Sequence, residues 1–567
     1  MSTFGERFLF FSTNPRSPIK TQMILKVINK YHLAGKVYDQ KLQSDFYKKY
    51  TIFSSDKGGN SKDPAFSGRQ LLTRAPQALG FIRARSGYPL EISEAGKLLL
   101  DDNLYEDILM HQMFKFQLPS PLHHEKKGKN KGIFNIKPFL ELTRLVNTLH
   151  YLTYKELLIY GMTLTDYHDF DATVDAIKRY RIRRKSVKGS KSLNEFDYQE
   201  QLSIFKHRYK DELKNANFKT RESKTNTAEQ YMKKKIRNWN DYTDAIFRML
   251  HESGLFVATK KGTLSISPKR QEEVDYLLEN IPRKILPEST SREEFDKYMF
   301  DPSIPVLLHD DRTGIIKHLT KLNIDFDPNS SLYELKKLNH NYLIKQRKEK
   351  VAQIVNNLKE RKTADIEDII NTYTLLTQRG VQDAPLRMEW NTWRAITMID
   401  HGKIIGNFTT DDEGNPIHTA GGNQGDIIGK YNKFNIVYEV TMSSGSTQYK
   451  MESEPVTRHV GMLQKESNLP TYGVFIAPKL SPTIIPYFYV SAVAKSTEFG
   501  GKTTGVIPLS LDDFISFFKA ASTKEMAEKE LQKLCEYSIQ KAREYMMNGK
   551  TAEDWYTTIR NNVLTAK

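Results

Sequence analysis

The chain has 567 residues and a single cysteine, Cys535. At about 100–200 residues per domain, this length predicts three or four domains. One cysteine excludes an internal disulfide framework and any cysteine-built zinc site, and Cys535 itself is expected to be an inert helix residue. Lysine and arginine total 85 against 68 acidic residues, a formal net charge of +17, which favours a polyanionic partner such as nucleic acid or an anionic membrane surface. No run of about 18 apolar residues occurs, and MSTFGERFLFFSTNPR has no long apolar stretch after a basic start. The expectation is therefore a soluble, cytoplasmic protein without a membrane partner.

Two segments share one pattern: "GFIRARSGYPLEISEAGKLLL" (Gly80 to Leu100) and "GLFVATKKGTLSISPKRQEEVDYLL" (Gly254 to Leu278). Each has a glycine, a short apolar strand, a basic tip with glycine, a strand ending in Ile-Ser, and a helix start. Ser93 and Ser267 stand where an N-cap belongs. With helical patterns ahead of both hairpins, each unit reads as a winged helix, which places a helix in a DNA groove.

Ahead of the first hairpin, "AFSGRQLLTRAPQALGF" predicts a helix opened by Ser67 and Gly68 and carrying Arg69, Gln70 and Arg74, residue types suited to base edges and phosphates. Ahead of the second, "YMKKKIRNWNDYTDAIFRMLHESGLF" places Ile236, Trp239, Tyr242, Ile246 and Met249 on one core-facing stripe. Lys233, Lys234, Lys235 and Arg237 near its start are expected at phosphates. The basic stretches His123–Gly132 and Arg181–Lys191 read as loops or helix extensions; His123 and His124 lack partner ligands at metal-binding spacing.

From about Ile285 to Gln378 the pattern changes to long polar helices, with Val351, Ile354, Val355 and Leu358 at i, i+3, i+4, i+7 spacing, which predicts a helical spacer. Beyond Arg387, strands alternate with helices, predicting an open mixed sheet. The expected architecture is multidomain α+β: winged-helix subdomains over 1–140 and 141–284, a helical linker over 285–384, and an α/β domain over 385–567.

Asp426 and Glu439 have twelve residues between them, with the turn-forming "GKYNK" inside, so they can meet at one end of a sheet. Glu439 ends an apolar run, where an unpaired carboxylate would cost several kcal/mol. A divalent cation removes that cost. Asp426, Glu439 and a backbone carbonyl, that of Val440, suit the oxygen preference of Mg²⁺, with Mn²⁺ as substitute; such an ion polarises phosphate and lowers the pKa of water. Glu389 on the preceding helix and Glu452 on the following one bring further acids. Lys450, Gln448 and His459 are candidates for orienting water or stabilising the phosphorane. Glu452 and Glu454 also suit a first helical turn, where acids favour the helix dipole.

This constellation resembles the core of PD-(D/E)xK nucleases, with Gly425 where proline is usual and Thr441 where the lysine belongs. The wider string "GNQGD … YEVTMSSGSTQYKMESEPVTRH" is similar to the cleavage domain of type IIS restriction and nicking endonucleases of the AlwI and BstNBI kind. "NPRSPIK" (Asn14 to Lys20, containing Arg16), "AFSGR", "ISEAGK" and "SGLFVA" extend the likeness to the N-terminus. The resemblance implies an N-terminal half that reads a short asymmetric DNA site, Arg16 among its contacts, and a PD-(D/E)xK-type domain that cuts double-stranded DNA a few base pairs away with Mg²⁺. It also implies that Asp426 and Glu439 are metal ligands and that Glu452, Glu389 and His459 complete the pocket. One such site cuts one strand; cutting both requires a second catalytic subunit or dimerisation through the cleavage domain. The competing expectation is a non-enzymatic double-winged-helix transcriptional regulator, which leaves the two acids at a strand end without a role.

Overall fold

The computed structural model describes residues 2–4, 6–54, 61–125, 133–220, 223–378, 381–399, 402–419, 424–522 and 526–565. Most of the basic stretch after His123, and Gly422 and Asn423 of the acidic motif, lie outside these residues. The chain is a mixed α+β protein with two compact units, Met1–Phe53 with Asn60–Gln346, and Arg347–Lys567.

The main core of the first unit is drawn from residues between Phe8 and Leu307, and a small separate cluster joins Ile315, Leu319 and Leu335. Helix α1 (Gln40–Ser54) is followed by α2 (Pro64–Thr73). The start of α2 differs from expectation: Asp63, not Ser67, caps it by accepting the Phe66 N–H, and Pro64 pre-sets the first turn. Gly68 serves packing instead, because a Cβ there would lie 2.0 Å from the Gln43 carbonyl oxygen on α1. The first hairpin pairs β1 (Ile82–Arg83) with β2 (Glu91–Ile92), and Ser93 then caps α3 (Glu94–Leu98) by accepting the Gly96 N–H.

The second hairpin is larger. β3 (Leu152–Thr153), β4 (Phe256–Ala258) and β5 (Thr263–Ile266) form a three-stranded sheet with β5 in the centre. It follows the 25-residue helix α4 (Ala228–Glu252), which Thr227 and Gln230 open with a reciprocal capping box. Trp239, Ile246 and Met249 on that helix are buried, as the stripe predicts. Ser267 makes no side-chain cap: it precedes a short 3-10 turn, Pro268–Arg270.

Helix α5 (Leu332–Lys359) spans the division between the units. Its apolar stripe, Val351, Ile354, Val355 and Leu358, packs on the core of the second unit. In that unit α6 (Ala384–Ile399) leads into a five-stranded mixed sheet of β6 (Lys403–Gly406), β7 (Ile427–Lys430), β8 (Asn435–Val440), β9 (Thr471–Ala477) and β10 (Val506–Ser510), in the order β10-β9-β8-β7-β6. β6, β7 and β8 run antiparallel, and β8, β9 and β10 parallel. All six residues of β8 are buried, which explains its nearly continuous apolar run: a central strand covered on both faces needs no polar alternation. The chain returns from β8 to β9 through α7 (Gly445–Ser467). Cys535 lies in the core, and burial pushes its thiol up to about 12, which keeps it inert.

Candidate active site

The register of β7 on β8 pairs Ile427 with Tyr438, so Asp426 and Glu439 are the next residues outward on adjacent strands. Asp426 Oδ2 accepts the backbone N–H of Val440 at 2.8 Å, and its own carbonyl accepts from Asn407. Gly425 is required beside them. A Cβ there would lie 2.3 Å from Val437 Cγ1 and 3.0 Å from Glu439 Oε1, so the proline usual at this position has no room.

α7 begins seven residues before Glu452. Glu452 and Glu454 therefore sit about two turns in rather than in the first turn, and the helix dipole does not account for them. Glu452 and His459, at i and i+7, share one helix face. His459 Nδ1 lies 2.6 Å from Glu439 Oε1, and Glu452 Oε1 accepts from Thr441 at 2.8 Å. Glu389 on α6 accepts from the Thr419 hydroxyl at 3.4 Å.

The acids feel one another. Burial first, and then Glu439 and Glu452, push the Asp426 carboxyl well above its ordinary value of 3.8; the Val440 N–H opposes this. Burial and then Glu452 raise Glu439, against the pull of Arg458. Burial, Asp426, Asp383 and Glu439 raise Glu389. A hydrogen bond to a charged group contributes about 1.5–3 kcal/mol, less than the several kcal/mol needed to bury several like charges. The pocket gathers several hard oxygen donors, a set that suits a divalent cation.

The other candidates have different positions. Lys450 is exposed. Gln448 is fully buried and spends its amide on the backbone, donating to Ser443 and Lys479 and accepting from Ser481; it is a structural residue and not an orienter of water.

Among the basic residues of the first unit, Arg69 is exposed with its guanidinium over Phe66. Gln70 Oε1 accepts from Arg74 Nε at 2.7 Å, and Arg74 lies at the break that ends α2, not within it. The Ser67 hydroxyl meets Ser61 at 2.8 Å. Lys233 is exposed and paired with Glu229, while Arg237 and Lys234 lie along the same helix. Arg16 pairs with Asp241 and Asp244. Lys235 corrects the expectation of phosphate contact: it is 9% exposed, bound to Glu6 at 2.9 Å and set over Tyr209 and Tyr231, so its charge is consumed inside the fold. His123 lies against Phe10 and Phe116 and 3.2 Å from Ser120.

Sequence reading missed two groups. Thr441 shows in the sequence only as a departure from the motif, and its hold on Glu452 together with Ser443 is not legible there, because hydroxyls in a loop carry no periodic signal. Asp107, His111 and Asp310 are brought together from distant segments and, among the described residues, are the one trio of ligating side chains with their ligand atoms all within 4.8 Å. Lys336 already neutralises that trio, donating to Asp107 at 2.8 Å and to Asp310, so its cation is built in.

A mixed sheet with a carboxylate pair, Glu439 buried and Asp426 half-buried, at the ends of adjacent strands is an arrangement able to bind a hard cation and hold a phosphate against it. The chain matches the AlwI restriction endonuclease family over residues 77–517, and it belongs to that family. No curated protein matches it. Among solved structures it is similar to the small subunit, R.BspD6I2, of the heterodimeric restriction endonuclease R.BspD6I, at 22% identity over 35% of this chain and 98% of that one, TM-score 0.29. It is also similar to the BpuJ1 endonuclease binding domain solved with pyrene- and phenanthrene-modified DNA, at 12% identity over 49% of this chain and 90% of that one, TM-score 0.29.

Proposed function

We propose that the protein is a type IIS DNA endonuclease of PD-(D/E)xK type, which recognises a short asymmetric duplex site through its first unit and hydrolyses phosphodiesters a few base pairs away with its second. The observation that carries this reading is the pairing of Asp426 with Glu439 at the ends of β7 and β8, with Glu389, Glu452 and His459 around them. In this reading Asp426, Glu439 and the Val440 carbonyl hold Mg²⁺, or Mn²⁺ in its place. When bound, that ion polarises the phosphate and lowers the pKa of water. His459, fixed against Glu439, accepts or relays a proton, and Glu389 and Glu452 orient the pocket's waters by hydrogen bonds.

The two hairpins act as wings, in subdomains over 1–140 and 141–284. Arg16, Ser67, Arg69, Gln70, Arg74, Lys233, Lys234 and Arg237 supply contacts to DNA, phosphates setting position and base edges setting sequence. Residues 285–384 link these to the cleavage domain over 385–567. One active site nicks one strand; cutting both uses a second catalytic subunit or transient pairing of cleavage domains.

Incubation with supercoiled plasmid and Mg²⁺ tests the reading. Discrete open-circular or linear product that disappears with EDTA supports it, and run-off sequencing then gives the site and the cut positions. Specific retardation of DNA without scission would instead identify a non-enzymatic DNA-binding regulator.

A further inference from the structure

The lysine of the (D/E)xK motif falls two residues after the glutamate, and here that position is Thr441. Its hydroxyl is tightly specified. Thr441 Oγ1 accepts the Ser443 backbone N–H at 3.0 Å and donates to Glu452 Oε1 at 2.8 Å. A hydroxyl has one proton, so the amide on its lone pair helps direct that proton to Glu452. Ser443 Oγ lies 3.1 Å from the same Glu452 oxygen and 2.7 Å from Thr441 Oγ1. The loop is fastened from behind by Gln448, whose Nε2 donates to the Ser443 carbonyl at 2.9 Å and to the Lys479 carbonyl at 3.0 Å. Among the described residues, no hydrogen bond reaches Glu452 Oε2.

We propose that Thr441, from the place of the motif lysine, is a positioning residue: with Ser443 it holds Glu452 by one carboxylate oxygen and leaves the other to the pocket of Asp426 and Glu439. This rests on the nuclease reading above. A lysine at this position would bring a positive charge into the pocket. The hydroxyl instead orients Glu452 and adds no charge of its own. The acid is thereby fixed for work that a misplacement of about 1 Å would slow about 100-fold.

The test is single-turnover cleavage of plasmid DNA with Mg²⁺, with DNA affinity measured separately. Thr441→Val is expected to slow cleavage about 10- to 100-fold without changing DNA affinity, and Thr441→Ser to recover to within about threefold of wild type. In a Glu452→Gln background, Thr441→Val should add less than about twofold, because the two act as one unit. A crystal structure of Thr441→Val should show Glu452 turned from its place. A wild-type rate in Thr441→Val, an equal loss in both backgrounds, or an unmoved Glu452 overturns the proposal. If Thr441→Val lowers DNA affinity and melting temperature together, Ser443→Ala decides: it must slow cleavage beside Glu452 and have no effect beside Glu452→Gln, and otherwise the proposal is overturned. Asp426→Asn separates the two levels. Activity in that variant sinks the nuclease reading itself, whereas its inactivity beside a fully active Thr441→Val sinks only the role of Thr441.

Discussion

His459 Nδ1 stands 2.6 Å from Glu439 Oε1, an imidazole from the third quarter of a 23-residue helix closing on a carboxylate at the end of a central strand. The pair joins the two elements that build the pocket, and it fixes which ring nitrogen faces the acid. His459→Ala should therefore reduce single-turnover cleavage by about 100- to 10,000-fold, the usual contribution of a positioned acid–base group. DNA affinity should stay near wild type. A loss under tenfold in quench-flow measurements would remove His459 from the chemistry.

The raised carboxyls of Asp426 and Glu439 make a prediction about stability. Their folded pKa values lie above the ordinary 3.8 and 4.5. Between the ordinary and folded values, the native state binds more protons than the unfolded one, so stability falls as pH rises through that window. Metal-free protein should thus melt lower at pH 8 than at pH 5, and Asp426→Asn should remove part of that difference. At pH 8 the variant should be stabilised by about 1–2 kcal/mol, a rise of about 2–8 °C in Tm. Calorimetry in EDTA showing the variant less stable than wild type would mean that the carboxylate is satisfied without a cation.

Much of this site was legible because the sequence carries chemistry that its local structure does not need. A glutamate ending "FNIVYE" has no structural use on a strand buried on both faces, so Glu439 stood out, and the β-turn after Asp426 set the two acids opposite each other. The helix start of α7 was misread because Glu452 and Glu454 mimic a first-turn acid pattern, while the true start at Gly445 has no acid in its first turn. Lys235 was misread for a related reason. Its neighbours in "KKK" are solvated, and nothing local reveals that Glu6, 229 positions away, meets it in the interior. Tertiary partners so distant in sequence leave no trace in composition or period.

Gly425 gives a prediction against the motif. Restoring the usual proline, Gly425→Pro, adds a Cβ 2.3 Å from Val437 Cγ1 and 3.0 Å from Glu439 Oε1. Overpacking of this kind costs about 1–3 kcal/mol, and here it pushes on a pocket acid. Cleavage should fall more than about tenfold, with DNA binding retained. A Gly425→Pro enzyme as fast as wild type would show that the pocket has more room than the structure gives it.

The lysines at the start of α4 divide by environment. Lys233 is exposed beside Glu229, whereas Lys235 is buried on Glu6. Lys233→Ala should leave the melting temperature unchanged and reduce the salt dependence of DNA binding by about one unit of slope. Lys235→Ala should take the cation from Glu6, a half-buried carboxylate that also accepts from the Tyr209 hydroxyl, and lower stability by about 1–3 kcal/mol. Binding isotherms at several salt concentrations, with thermal melts, distinguish the two; reversed effects would refute the assignment.

In the proposed active site a divalent cation lies between Asp426 and Glu439. Anomalous diffraction from a crystal soaked in Mn²⁺ tests it most directly. A peak is expected about 2.0–2.3 Å from an oxygen of each carboxylate, absent in Asp426→Asn. A soaked crystal with no peak there, or with manganese only at Asp107, His111 and Asp310, would contradict it.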